Sequence, residues 1–226
     1  MSRRNDTTFD KAGEICRNLW RELAAIDPKT GEERDGGRPD RAALAQLRRL
    51  GTNVHGDEEH LDTASAIALW PYRRLLQELR PIAGAQFAYR PEGDFEDAVV
   101  VVIATLAHVR KDSRPDDFVA RRLGLGKDGQ PVQGEEGARV MAEARFKRLI
   151  RTHAWPELLD QGRRIVRLLE RNVPVADLAA SLFLWNAGPR VRRVWSFDYY
   201  GADFASPESD SSAPPADIAP AIPAAN

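Results

Sequence analysis

Few residues in this chain stand at spacings that could do covalent chemistry. The run GLGKDGQ (Gly124 to Gln130) resembles a phosphate loop only superficially. It lacks the first glycine at the required spacing, and Asp128 stands where Ser or Thr would hold magnesium. His55 and His60 bracket Gly-Asp-Glu-Glu, but this is not the H-E-x-x-H pattern of a zinc helix, and no third ligand cluster lies nearby in sequence. The segment reads as a solvated loop. His108 falls in an apolar run and His153 at a helix end, positions that suit core and capping roles. Cys16, the only cysteine, lies on an apolar stripe where burial outweighs reactivity. It excludes an internal disulfide and fits a reducing cytoplasm. The acidic pairs sit beside arginines or in loops. No catalytic residue, metal site or cofactor is expected.

What the sequence holds in quantity is arginine on helix faces. At about 100° per residue, Leu158, Gly162, Ile165, Val166 and Leu169 gather on one side of a helix, and Arg163, Arg164, Arg167 and Arg171 fall opposite. The segment before it sets Ala142, Phe146, Leu149 and Ile150 against Arg145, Lys147, Arg148 and Arg151. A third sets Leu44, Leu47 and Leu50 against Arg41, Arg48 and Arg49. One such face is an ordinary solvated side. Three, with few acids between the arginines, leave charge that i,i+4 pairing cannot neutralise. Arginine also carries the planar fork that suits phosphate, so the faces together describe a candidate polyanion surface.

Net charge alone points the other way, at −1. Its distribution does not. With Glu208, Asp210 and Asp217 of the C-terminal stretch set aside, the body carries 33 basic against 31 acidic residues. Between Arg139 and Arg171, nine Lys and Arg face four acids, Glu143, Glu157, Asp160 and Glu170. Segregated charge binds polyanions even in a near-neutral chain.

The elements that carry these faces read as helices throughout. Phe9, Ala12, Cys16, Leu19, Leu23 and Ile26 recur at helical spacing up to Asp27-Pro28. After the polar loop 30–38, a second helix takes Pro39 in its first turn and stops near Gly51. His60 to Leu79 reads as helix with a restart at Pro71. Asp94 to Lys111 contains Val99-Val-Val-Val-Ile103, of high strand propensity. The apolar pattern continues through Leu106 and Val109, so its length predicts a buried helix with Asp94 as its cap. Further helices are predicted over 115–123, 138–152, 156–172 and 174–186, with a Gly-rich loop at 124–137, and Gly188 to Phe204 is the final ordered piece. The sum is an all-α helical bundle of eight to nine helices, as one domain or two packed lobes over 1–204. The remainder, 205–226, is rich in Pro, Ala and Ser and predicted to be disordered. No run approaches the roughly 20 apolar residues of a membrane span, and the polar N-terminus carries no signal-peptide pattern.

An ordered set of segments resembles a known family, the small subunit (CasB) of the type I-E CRISPR Cascade surveillance complex. The segments are RAALAQLRRL (Arg41 to Leu50), FVARRLG (Phe118 to Gly124) and ARFKRLIRTHAWPELLDQGRRIVRLL (Ala144 to Leu169). They continue with PVADLAASLFLWN (Pro174 to Asn186) and RVRRVWSFDYYG (Arg190 to Gly201). Order and spacing agree with the family pattern; the loop 124–137 and the stretch after Phe204 depart from it. The resemblance implies a non-catalytic, all-helical cytoplasmic subunit. It would pair head to tail with a second copy along a crRNA-bound arch, beside the large subunit and the backbone subunits. It would also contact target DNA, including the displaced strand, and stabilise the R-loop; no membrane is involved. Base pairing reads the sequence in such complexes, so the protein needs only backbone contacts.

With the family in view, the expected phosphate contacts are Arg41, Arg48 and Arg49, then Arg145, Arg148 and Arg151, then Arg164 and Arg167. The FVARRLG match adds Arg121 and Arg122, and the last segment adds Arg192 and Arg193. Trp195, Tyr199 and Tyr200 either stack on unpaired bases or pack the last helix. Two other functions compete. One is a transcription regulator with a helix-turn-helix, whose recognition helix would be 174–186. Leu178, Ala179, Leu182, Phe183, Leu184 and Trp185 offer little to read base edges with. The other is a protein-only adaptor, distinguished by having no affinity for nucleic acid.

Overall fold

The computed structural model describes residues 7–27, 37–55, 58–88, 90–113, 117–126, 129 and 139–201. The stretch 205–226, most of the loop 124–137 and residues 202–204 lie outside the described residues. Ten helices occur among the described residues, with four short strands. They are α1 (Thr7–Ala24), α2 (Arg41–Arg49), α3 (Thr63–Ile67), α4 (Trp70–Phe87), α5 (Asp94–Leu106), α6 (Val119–Gly124), α7 (Glu143–Arg151), α8 (Trp155–Leu168), α9 (Val175–Phe183) and α10 (Pro189–Tyr200).

The valine run belongs to α5, and every residue from Ala98 to Leu106 is buried. A helix buried all round is central, and α5 packs against α4, α8 and α9. Its N-cap is Gly93 at φ 90°, not Asp94 as expected. Asp94 lies in the first turn, where its carboxylate accepts from Trp155 Nε1 at 2.8 Å and pairs with Arg90 at 3.3 Å.

Three further expectations are corrected. The helix predicted from His60 begins as a hairpin, β1 (Thr52–His55) antiparallel to β2 (Glu58–Leu61), with His55 opposite Glu58. Leu50 leaves α2 with extended backbone, φ −54° and ψ 128°, and the chain continues extended. Asp62 then caps α3 by accepting from the Ser65 amide at 3.0 Å. In α4, Pro71 begins the helix as expected, but the helix runs past Pro81 to Phe87. Pro81 sits on the exposed side, and the buried stripe of Leu75, Leu79 and Ala83 carries the helix through. In the second helix, Pro39 precedes the cap rather than entering the first turn. Asp40 is the N-cap, and its carboxylate accepts from the Ala43 amide at 2.9 Å.

Close approaches fix the helices that carry arginine. A Cβ built on Gly162 of α8 would lie 2.6 Å from Thr105 Oγ1 of α5. A Cβ on Gly124 would collide with the Tyr199 carbonyl of α10, so only glycine lets α6 and α10 pack. The end of α7 is pinned by Trp185 Nε1, which donates to the Thr152 carbonyl at 3.0 Å. Between α1 and α9, Asp112 is a hub. Its side chain is 7 % exposed, accepts from Arg17 Nε and from the Val175 amide at 3.1 Å, and lies 3.6 Å from Arg21. Asp112 also belongs to β3 (Lys111–Asp112), which pairs in parallel with β4 (Asn172–Val173).

Candidate nucleic-acid interface

Each apolar face read from the sequence points inward, apart from Ala142, which caps α7 and is exposed. Leu44, Leu47 and Leu50 are buried, as are Phe146 and Leu149 of α7, and Leu158, Ile165, Val166 and Leu169 on and just after α8. The arginines opposite them, apart from the half-buried Arg163, are therefore presented to solvent. Arg41, Arg48, Arg49, Arg121, Arg145, Arg148, Arg151, Arg164, Arg167 and Arg193 are exposed, while Arg122 and Arg192 are half-buried.

Among the described residues, three of the twelve have polar side-chain partners beyond solvent and backbone. Arg148 pairs with Glu157 at 3.0 Å on the surface, joining α7 to α8. Arg122 lies 3.5 Å from Asp117 and donates to the Asn172 carbonyl at 2.6 Å, which ties α6 to the chain leaving α8. Arg192 Nη1 donates to the His153 ring, 2.7 Å from Nε2. Burial, with Arg90 nearby, lowers the Arg192 pKa. Lys147 is paired with Glu143 at 2.6 Å, whereas Arg145 and Arg151 make no ion pair among the described residues.

The structure also gathers arginines from distant segments. Arg48, at the end of α2, donates from Nε to the Ala107 carbonyl at 2.7 Å. Arg163 of α8 donates to the carbonyls of Leu50 and, at 3.4 Å, Arg48. The Arg171 carbonyl accepts from the Arg110 and Lys111 amides at 2.9 and 3.1 Å. His108 follows Ala107, the carbonyl partner of Arg48. Burial pushes its imidazole down to about 4, and Arg163, Arg48, Arg171 and Arg167 push the same way. Sequence reasoning placed Arg48 and Arg167 among the contacts. It left out Arg163, Arg171 and His108, although the i,i+4 row of Arg163, Arg167 and Arg171 was the available signal.

The His108 environment has a consequence for pH. As pH falls from 6.5 towards 4, the unfolded chain binds a proton that the folded chain refuses, so stability falls across that window. The protein is expected to lose stability more steeply there than a His108→Gln variant, measured by denaturant unfolding at each pH. Parallel profiles would contradict this.

The aromatics divide. Trp195 and Tyr199 are buried, donating to Ser181 Oγ at 2.8 Å and the Met141 carbonyl at 2.7 Å, so they pack the last helix. Tyr200 is 45 % exposed and donates to Glu143 at 3.2 Å. In α9, Val175, Leu178, Ala179, Leu182 and Phe183 are all buried, and Leu184 and Trp185 beyond it are too. A recognition helix must present its side chains to a groove; α9 is interior. Among the described residues no three His, Cys, Asp or Glu could together hold a metal ion, and no helix is long and apolar enough to cross a membrane.

The family model of CRISPR-associated protein Cse2 matches residues 43–200, well over half of the chain. This chain belongs to the Cse2 family. Cse2, or CasB, is a subunit of the type I-E CRISPR Cascade complex. The match to Cse2 runs from α2 to the last residue of α10, taking in every arginine discussed above except Arg41, which lies just before it, and Arg17 and Arg21 of α1. No curated protein and no solved structure matches the chain.

Proposed function

We propose that this Cse2-family chain is a non-catalytic Cascade subunit that grips nucleic-acid backbone through its arginine faces and stabilises the R-loop. The observation that carries this reading is the exposure of arginines on α2, α7 and α8, most of them without an acidic partner among the described residues. Arginine beside arginine on a solvated face gains from a phosphate backbone what it cannot gain from the protein. The interior position of α9 supports backbone contact rather than base reading, and delegating sequence to guide–target pairing makes base reading unnecessary. The partners would be crRNA, target DNA with its displaced strand, the large and backbone subunits, and a second copy of the chain. Affinity capture of the full chain from cells that express it is expected to bring down large Cascade subunits and a short RNA together. Recovery of the protein partners without RNA would favour an adaptor role.

A further inference from the structure

We propose that Arg48, Arg163, Arg167 and Arg171, gathered over His108, form a discrete pocket for one phosphate group of a nucleic-acid strand. This rests on the backbone-gripping role above and adds a place to it. Three segments converge here: the end of α2, the turn after α5, and the outer row of α8 with the residues that follow it. Backbone carbonyls hold the convergence. Arg48 donates to Ala107, Arg163 donates to Arg48 and Leu50, and the Arg171 carbonyl takes the amides of Arg110 and Lys111.

Carboxylates do not balance the charge. None of the four arginines has an ion pair among the described residues, and the one acid acting on Arg163 is Asp160, an exposed residue of the preceding turn. Four like charges around a half-buried imidazole repel one another until an anion arrives. Two of the guanidiniums are already oriented by their carbonyl bonds, which lowers the ordering cost of taking a ligand. Each still has free donors out of its five. Arg163 Nε and His108 Nε2 have no hydrogen-bond partner among the described residues. Arg48, Arg167 and Arg171 are exposed, so the cluster is reachable from solvent. The planar fork of arginine suits a tetrahedral oxyanion, and a strand supplies such groups in series.

The test follows His108 by NMR in the full chain, with a twelve-residue oligothymidylate and inorganic phosphate as probes. An anion seated over the imidazole favours its charged form, so the oligonucleotide is expected to raise the pH at which His108 titrates. Arg48→Gln and Arg171→Gln should each weaken oligonucleotide binding about tenfold, the scale of a charged hydrogen bond. Arg80→Gln, whose partner Glu96 is at the other end of α5 from His108, should leave it unchanged. If Arg48→Gln fails to fold, Arg171→Gln decides, because its structural bonds use only the backbone N–H and carbonyl. Oligonucleotide binding that leaves His108 and the Arg171→Gln affinity unmoved overturns the pocket and leaves the gripping role standing. Absence of any oligonucleotide binding removes both. An equal His108 response to free phosphate at the same phosphate concentration overturns the assignment to a strand.

Discussion

Replacing Asp112 with alanine is expected to lower the unfolding free energy by about 3 kcal/mol, the low end for stripping one partner from a buried ionic network. The low end applies because Arg17 and Arg21 keep 21 % and 18 % side-chain exposure, while Asp112 keeps 7 %. Three segments lose their shared acceptor at once: α1 through Arg17 and Arg21, β3 itself, and the start of α9 through the Val175 amide. Two arginines are then left near each other with no other ion pair among the described residues, and burial and Arg17 already lower the Arg21 pKa. For a chain of this size the melting temperature should fall by roughly 6–12 °C. Asp112→Asn keeps an acceptor for Val175 and should lose less. A change below about 1 kcal/mol on Asp112→Ala would mean the network is solvated and contributes as surface pairs do.

Changing Arg145, Arg148, Arg151, Arg164 and Arg167 together to alanine is expected to leave the fold intact and remove much of the nucleic-acid affinity. All five are exposed, the apolar faces beneath them are untouched, and alanine is the best helix former. Among the described residues the only ion pair removed is Arg148–Glu157, with Arg148 73 % exposed, and such a pair is worth at most about 1 kcal/mol. The slope of log affinity against log salt should shrink by about 0.9 for each duplex phosphate no longer neutralised, and by about 0.7 for a single strand. Arg148, already engaged by Glu157, should account for the smallest share. In reconstituted Cascade, guide loading should persist while target DNA dissociates faster. Unfolding of the variant, with unchanged affinity in whatever stays soluble, would make these arginines structural.

Where apolar periodicity was long, the fold was legible. The stripes of α1 and α8, that of α7 apart from the exposed Ala142, and the buried helix of α5 emerged as read, because burying a continuous face outweighs the strand propensity of four valines. Short elements were not legible. The 52–61 hairpin has too few residues for a period to register, and α4 passes Pro81 because its packed stripe outweighs one lost backbone bond. The candidate site was half legible for a similar reason. Helical geometry separates arginines from leucines on one helix, but the meeting of Arg48 with Arg163 spans more than a hundred residues of chain. Only the packing of α2 and α8 on α5 brings them together. Capping also misled: a left-handed Gly93 took the cap and freed Asp94 to bind Trp155.

If this chain holds nucleic-acid backbones through charge and without regard to sequence, salt should govern its binding. The most direct measurement is the affinity of the full protein for two unrelated single strands and their duplexes, taken from about 50 to 200 mM salt. All four affinities should fall steeply and linearly on logarithmic axes, with matching values for the two sequences at each salt. No measurable binding, or a preference for one sequence that survives at high salt, would contradict the account.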